Sequence, residues 1–448
     1  KDVIDPTRLS IAEAGAAMRT GTLTATALTE AQLARIEALN PRIKAFVAVT
    51  ADQAMAAAAK ADADFAAGVD HGPMQGIGFA IKDLIDMAGV PTTCGSLSAP
   101  TDPAAQDAGV VARLRAAGAV PLGKAATYEY ALVGPGLDGP HPPAVNPWNA
   151  AHITGGSSSG SAAAVASGMV RCAIGTDTGG SIRSPAGYCG VVGLKPTYDA
   201  LPRDGVFPLS ADLDHVGPIA ASVADAALMA QAMGCPATSC LGRPVAGMTI
   251  GYARDWFADD PATQPAILMA MDRAMSDLSL LGVRVELIDL PDYAAVEPVG
   301  VTLLQYQALE VHRDGMDGGK YGRQALESLL SGRHLTAADL AAARKQAQRY
   351  RTEFAAILAR YDALATANVL TTAPPLADFA DGRAVWTPMR TLPFNVTGHP
   401  ALAVPIGFSG GLPMGMQLVG PDHSEALLCQ IGDAYERATD HSAQQPIF

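Results

Sequence analysis

No apolar run in this 448-residue chain approaches the roughly 18 residues that a membrane-spanning helix needs. The opening Lys1-Asp-Val-Ile-Asp5 lacks the apolar core of a signal peptide. Cytoplasmic residence is therefore expected, and a leader ahead of Lys1 stays open because the first residue is not Met. The six cysteines, at 94, 172, 189, 235, 240 and 429, form no CxxC pair and no paired framework, which fits free thiols in a reducing compartment rather than bridges or a metal clip. The nine histidines are scattered without an HExxH or comparable cluster, and no Walker motif follows a strand, so no cofactor, metal or nucleotide, is expected. Positive charge is also in deficit. A formal net charge of −13 with no Lys/Arg-rich run to offset it repels phosphate backbones and anionic membranes, which leaves a small molecule as the expected ligand, with no nucleic acid and no membrane partner. A homo-oligomer is compatible with this composition. Aromatic residues make up only 5% of a chain that is 49% hydrophobic, so the core is expected to consist of closely packed small side chains on a sheet rather than a few large anchors.

What is present is an alternation of short apolar strands and Ala-rich helices. Leu28, Leu33, Ile36 and Leu39 recur at helical spacing over 24–39 and stop at Asn40-Pro41. Apolar strands over 45–49, 79–81, 120–122 and 173–175 alternate with helical stretches over 51–66, 108–117 and 161–168. A second strand–helix–strand stretch covers 249–252, 265–281 and 283–288. Residues 300–362 then read as charged helices without an intervening strand, before strand patterns return at 401–406 and 414–419 and a last helix at 423–438. This order predicts an α/β fold in a single large domain, 1–448, with a mixed, mostly parallel β-sheet covered by helices on both faces. A helical cap over about 300–390 is expected to lie on the sheet.

Four runs carry chemistry. The first is Gly175-Thr-Asp-Thr-Gly-Gly-Ser-Ile-Arg-Ser-Pro185, a serine flanked by glycines at an expected strand-to-helix turn. It lies 24 residues after Ser157 in the second, Gly155-Gly-Ser-Ser-Ser-Gly-Ser161. The third is Gly78-Phe-Ala-Ile-Lys82-Asp-Leu-Ile-Asp86, which sets one lysine at the end of an apolar strand, and the fourth is Cys189-Gly-Val-Val-Gly-Leu-Lys-Pro-Thr197. A serine hydroxyl is a poor nucleophile near neutral pH until a positioned base takes its proton, and a lysine kept neutral by burial can be that base. Taken singly, a Ser/Gly run is usually a loop and a lysine near a strand end is usually solvated; their co-occurrence favours a site.

Together these runs, most specific over about 70–235, resemble the amidase signature family of serine hydrolases, which cut C–N bonds with a Ser-Ser-Lys triad. The resemblance implies that Ser181 is the nucleophile, Ser157 the bridging serine and Lys82 the general base, with a cis peptide before Ser157. It implies an oxyanion hole from the backbone N–H groups of Thr178, Gly179, Gly180 and Ser181, since such a hole needs backbone donors rather than particular side chains. Asp177 and Arg183 match family positions and are expected to hold the loop, while Lys124 and Lys195 are expected to be structural. Tyr130, Ala131 and Leu132 are expected to line the acyl side of the pocket, with residues 303–306 approaching from the cap.

A competing pattern sits in the same serine run. Gly156-Ser-Ser158-Ser-Gly160 fits G-x-S-x-G, the nucleophile elbow of α/β-hydrolases, which would make Ser158 the nucleophile with a later Asp and a His such as His215 or His399. Under the amidase reading, the expected activity is that of a stand-alone amidase acting on a carboxamide, an anilide or a carbamate (urethane). The acidic charge, the cap and the 134–143 loop resemble those of free amide hydrolases. The alternative is the glutaminase component of a tRNA-dependent amidotransferase, which uses the same triad to release ammonia for a partner.

Overall fold

Thirteen strands run through the structure, a computed structural model that describes residues 5–448. Residues 1–4, most of the opening segment read above for a signal sequence, lie outside the described residues. In chain order the strands are β1 (Phe46–Val49), β2 (Gly78–Lys82), β3 (Val120–Ala125), β4 (Val145–Asn146), β5 (Asn149–Ile153), β6 (Cys172–Asp177), β7 (Val192–Lys195), β8 (His215–Ala220), β9 (Thr249–Tyr252), β10 (Arg284–Leu287), β11 (Ala363–Ala367), β12 (Ala401–Ser409) and β13 (Leu412–Val419). Eleven of them form one sheet in the order β1-β3-β2-β6-β8-β7-β12-β13-β11-β9-β10, and β4 and β5 form a separate hairpin.

The sheet is mixed and flanked by helices in a single-domain α/β fold. Parallel pairing joins β3, β2 and β6 on one side and β11, β9 and β10 on the other. The parallel pairing expected to dominate is concentrated in these two blocks, and antiparallel pairs run through the centre. Connection length explains the division. The helices Gly109–Ala116 and Pro265–Leu280 supply the crossovers that parallel neighbours need. By contrast, β12 turns into β13 through Gly410 and Gly411 alone, both with positive φ (58° and 79°), the backbone that a two-residue hairpin requires. The central strands β2, β6, β7 and β8 are buried along their whole length, which explains why β2 and β6 read as short apolar runs over 79–81 and 173–175 rather than alternating ones.

The first long helix, Ala25–Ile43, continues one turn beyond its predicted stop and closes on Lys44 in the left-handed conformation. Pro41 is tolerated there because only the last turn is affected. The helix Ser159–Ala166 packs so tightly on the sheet that a Cβ at Gly160 would stand 2.3 Å from Ala45 O and from Ala126 N. That contact fixes the start of the helix, and with it the serine loop.

The helices Tyr293–His312, Arg323–Leu330 and Ala337–Leu358 follow one another without an intervening strand, and Leu303 and Leu304 pack against Leu213, Leu392 and Val396. The expected cap range of 300–390 overshoots, because Ala363–Ala367 within it is strand β11, paired between β13 and β9. Among the described residues, no helix is long and apolar enough to cross a membrane.

Candidate active site

Lys82 closes β2, and its side chain is completely buried. Its Nζ donates to Ser157 Oγ and to Thr176 Oγ1, both at 2.7 Å. Burial pushes the lysine down to about 7, against the opposing pull of the Asp177 and Asp214 carboxylates. A substantial neutral fraction therefore exists near neutral pH.

Ser157 sits in the loop between β5 and the helix Ser159–Ala166 and is 2% exposed. The Gly156–Ser157 peptide is cis, and the Ser157 carbonyl accepts from Tyr128 N at 3.0 Å. Ser181 lies on the turn that leaves β6 toward the helix Arg183–Cys189 and is only partly buried. Its carbonyl accepts from Ser158 N at 3.3 Å, which ties the two serine loops together.

Asp177, the last residue of β6, organises this turn. Its carboxylate accepts from the backbone N–H of Gly180 at 2.9 Å, Ile182 at 3.1 Å and Arg183 at 3.4 Å, and from Asn395 Nδ2 at 2.8 Å. Arg183 Nε and Nη2 complete a bidentate, fully buried pair with it at 3.0 and 2.9 Å. Burial alone would raise the Asp177 carboxyl, but the Arg183 guanidinium and these donors hold it well below the usual range. This role fits the expectation that Asp177 and Arg183 hold the loop.

The same contact corrects one expected oxyanion donor. The N–H of Gly180 is engaged by Asp177, whereas no hydrogen bond engages the N–H groups of Thr178, Gly179 or Ser181 among the described residues. Gly180 still serves the turn through its φ of 136°, which favours glycine.

Ser157, Ser181 and the 178–180 turn line one cleft of about 590 Å³. Ala131 and Leu132 line it as expected, and Leu304 reaches it from the helical segment. Tyr130 does not. Tyr130 and Ala131 both have positive φ (49° and 60°), a local fold unusual for a bulky residue. The Tyr130 ring packs 4.5 Å from His312 and 4.9 Å from Phe207, and its hydroxyl meets Ser98 Oγ at 2.8 Å. No charged side chain lines the cleft among the described residues.

Ser158 is unsuited to the elbow role. It is completely buried, and its hydroxyl donates to Thr176 O at 3.1 Å while accepting from Thr176 N at 3.2 Å. His215 Nδ1 is engaged by Leu213 O at 2.6 Å and His399 Nδ1 by Thr397 Oγ1 at 2.8 Å, and neither histidine bonds Ser158. Lys124 pairs with buried Asp83 at 2.8 Å and Lys195 donates to Pro196 O at 3.0 Å, as structural lysines do.

Sequence reasoning missed several groups at the site. Thr176 is the second partner of Lys82, and Asp214 accepts from Thr178 Oγ1 at 2.7 Å. Val385, Trp386 and Met389 form a further wall of the cleft. Trp386, one of only three tryptophans, was the available signal, since a tryptophan in a polar loop has little reason to be there for packing.

A family model described as Amidase matches residues 27–429. One component of the glutamyl-tRNA(Gln) amidotransferase of Chloroflexus aurantiacus is 37% identical over 478 aligned residues, covering 98% of each chain. Among solved structures, the native peptide amidase of Stenotrophomonas maltophilia is 30% identical with a TM-score of 0.84, over 98% of this chain and 99% of that one. A chain from a vestigial protein complex that bears on the origins of an s-triazine catabolic enzyme is 31% identical with a TM-score of 0.88, over 96% of this chain and 98% of that one. The chain belongs to the amidase signature family and is an enzyme acting on C–N amide bonds.

Proposed function

We propose that this chain hydrolyses the C–N bond of an uncharged carboxamide, or of a chemically close anilide or carbamate, through an acyl-enzyme on Ser181. The observation that carries the reading is the 2.7 Å contact between Lys82 Nζ and Ser157 Oγ in a site where burial brings the lysine to about 7. Ser157 takes the proton of Ser181 Oγ as it passes its own to neutral Lys82, and Ser181 Oγ bonds to the carbonyl carbon. The oxyanion is met by the free N–H groups of Thr178, Gly179 and Ser181. Collapse breaks the C–N bond, and the departing nitrogen takes a proton from Ser157, which Lys82 replenishes. Water then adds to the acyl ester, gives its proton to the same relay, and the carboxylic acid leaves as Ser181 regains its hydrogen.

An uncharged substrate is supported by the cleft lining. The ammonium and carboxylate of a free amino acid would lose water there without gaining a charged partner. The six free thiols support a reducing, cytoplasmic setting.

The second reading, a glutaminase component that passes ammonia to a partner, is favoured by the names of the relatives, several of which are components of glutamyl-tRNA(Gln) amidotransferases that match this chain end to end. The purified chain, assayed alone on aryl amides, primary aliphatic amides, carbamates and glutamine, separates the two. Turnover of uncharged amides well above glutamine supports the first reading. Glutamine turnover that appears only with the other components of such a complex added supports the second.

A further inference from the structure

We propose that Trp386 determines substrate specificity, stacking its indole on a planar aryl or heteroaryl group of the amide. The inference deepens the amide-hydrolase reading above and rests on it.

Two of the three tryptophans are ordinary core residues. Trp148 Nε1 donates to Cys189 O at 2.8 Å and packs on Phe408, and Trp256 Nε1 donates to Pro291 O at 2.9 Å among Tyr293, Phe354 and Phe394. Trp386 has neither kind of partner among the described residues. It is 47% exposed, its indole N–H makes no hydrogen bond, and no aromatic ring packs on it. In a chain with only 5% aromatics, this half-exposed indole beside the Ser181 turn presents a large apolar surface to the cleft.

The segment that carries it is tied on both sides. Before it, Arg323 Nη1 donates to Asp381 O at 2.9 Å, Gln324 Nε2 to Arg383 O at 3.1 Å, and Ala384 N to Glu327 Oε2 at 2.9 Å, all from or to the helix Arg323–Leu330. After it, Leu370 N donates to Pro388 O at 3.0 Å and Arg390 N to Asn368 O at 2.9 Å. Trp386 is thus held between two anchors. Its six-membered ring abuts the turn, so closely that a Cβ on Gly179 would stand 3.2 Å from ring atom Cη2. Leu132, Leu304, Val385 and Met389 are among the apolar side chains that line the same cleft. Aromatic faces favour flat partners in such a setting, and the absence of charged lining leaves stacking and burial as the available sources of selectivity.

The test compares wild type, Trp386→Ala and Trp386→Phe on benzamide and acetamide. The expected result is that Trp386→Ala lowers the benzamide-to-acetamide ratio of kcat/KM about tenfold, mainly through KM for benzamide, and that Trp386→Phe restores most of it. Equal losses on both amides, or a ratio unchanged within about twofold, overturns the proposal. A binding arm is independent of turnover. Calorimetry of benzamide with Ser181→Ala and with the Ser181→Ala/Trp386→Ala double variant is expected to give a Kd about tenfold weaker for the double variant. Equal Kd values, or no binding to Ser181→Ala, overturns the proposal. Trp386-dependent binding by a chain that turns over no amide would leave this inference standing while the hydrolase reading fell.

Discussion

Arg183 engages every one of its five N–H groups, and two of them hold Asp177. The other three reach Thr391 O at 2.9 Å, Gln417 Oε1 at 2.8 Å and Asn395 Oδ1 at 2.8 Å, so one buried guanidinium joins the end of β6 to β13 and to the segment before β12. Removing it leaves Asp177 as an unpaired buried charge, a loss of about 3–5 kcal/mol. Arg183→Met is therefore expected to unfold at markedly lower urea concentration than wild type. Arg183→Lys, with three donors instead of five, is expected to recover only part of that difference.

Ser181→Ala is expected to abolish turnover while changing stability in urea by no more than about 0.5 kcal/mol, because it removes one hydroxyl at a partly exposed position. An active-site serine probe followed by peptide mapping is expected to modify Ser181. Modification of Ser158 together with a dead Ser158→Ala variant would restore the elbow reading.

The proposed triad was legible as a candidate because its members lie in three short runs whose residue types make chemical sense together, Lys82 after an apolar strand and Ser157 and Ser181 among glycines. Thr176 was not, although it stands five residues before Ser181, since only the packing of β2 against β6 brings it to Lys82. The place of Tyr130 was not legible either, because two successive left-handed residues turn its ring away from the cleft, a conformation that its side chain does not announce. The helical segment read correctly up to β11, whose small residues Ala363, Ala365 and Ala367 do not stand out from the Ala-rich helices around them. A mixed sheet was expected, but which neighbours run antiparallel was not legible, because β7 and β8, which pair antiparallel with β6 and β12, carry no apolar run that stood out and an apolar run carries no direction.

Exhaustive treatment with a metal chelator is expected to leave kcat/KM unchanged, since neither the motifs nor the proposed proton relay calls on a metal. A reproducible loss that a divalent ion restores would contradict the relay.

The pH dependence follows from Lys82. In the proposed relay its neutral form accepts the proton, so kcat/KM is expected to rise with pH through a limb near 7 and then level off. Asp214 raises that value by favouring the charged lysine, so Asp214→Asn is expected to move the limb to lower pH. A limb that stayed in place or moved upward would show that Asp214 does not act on Lys82 in this way.

The kcat/KM of folded Lys82→Ala reads out directly whether Lys82 is the general base. It is expected to fall about 10²–10⁴-fold, with His215→Ala and His399→Ala retaining most activity. A folded Lys82→Ala variant that keeps near-wild-type kcat/KM would contradict that role.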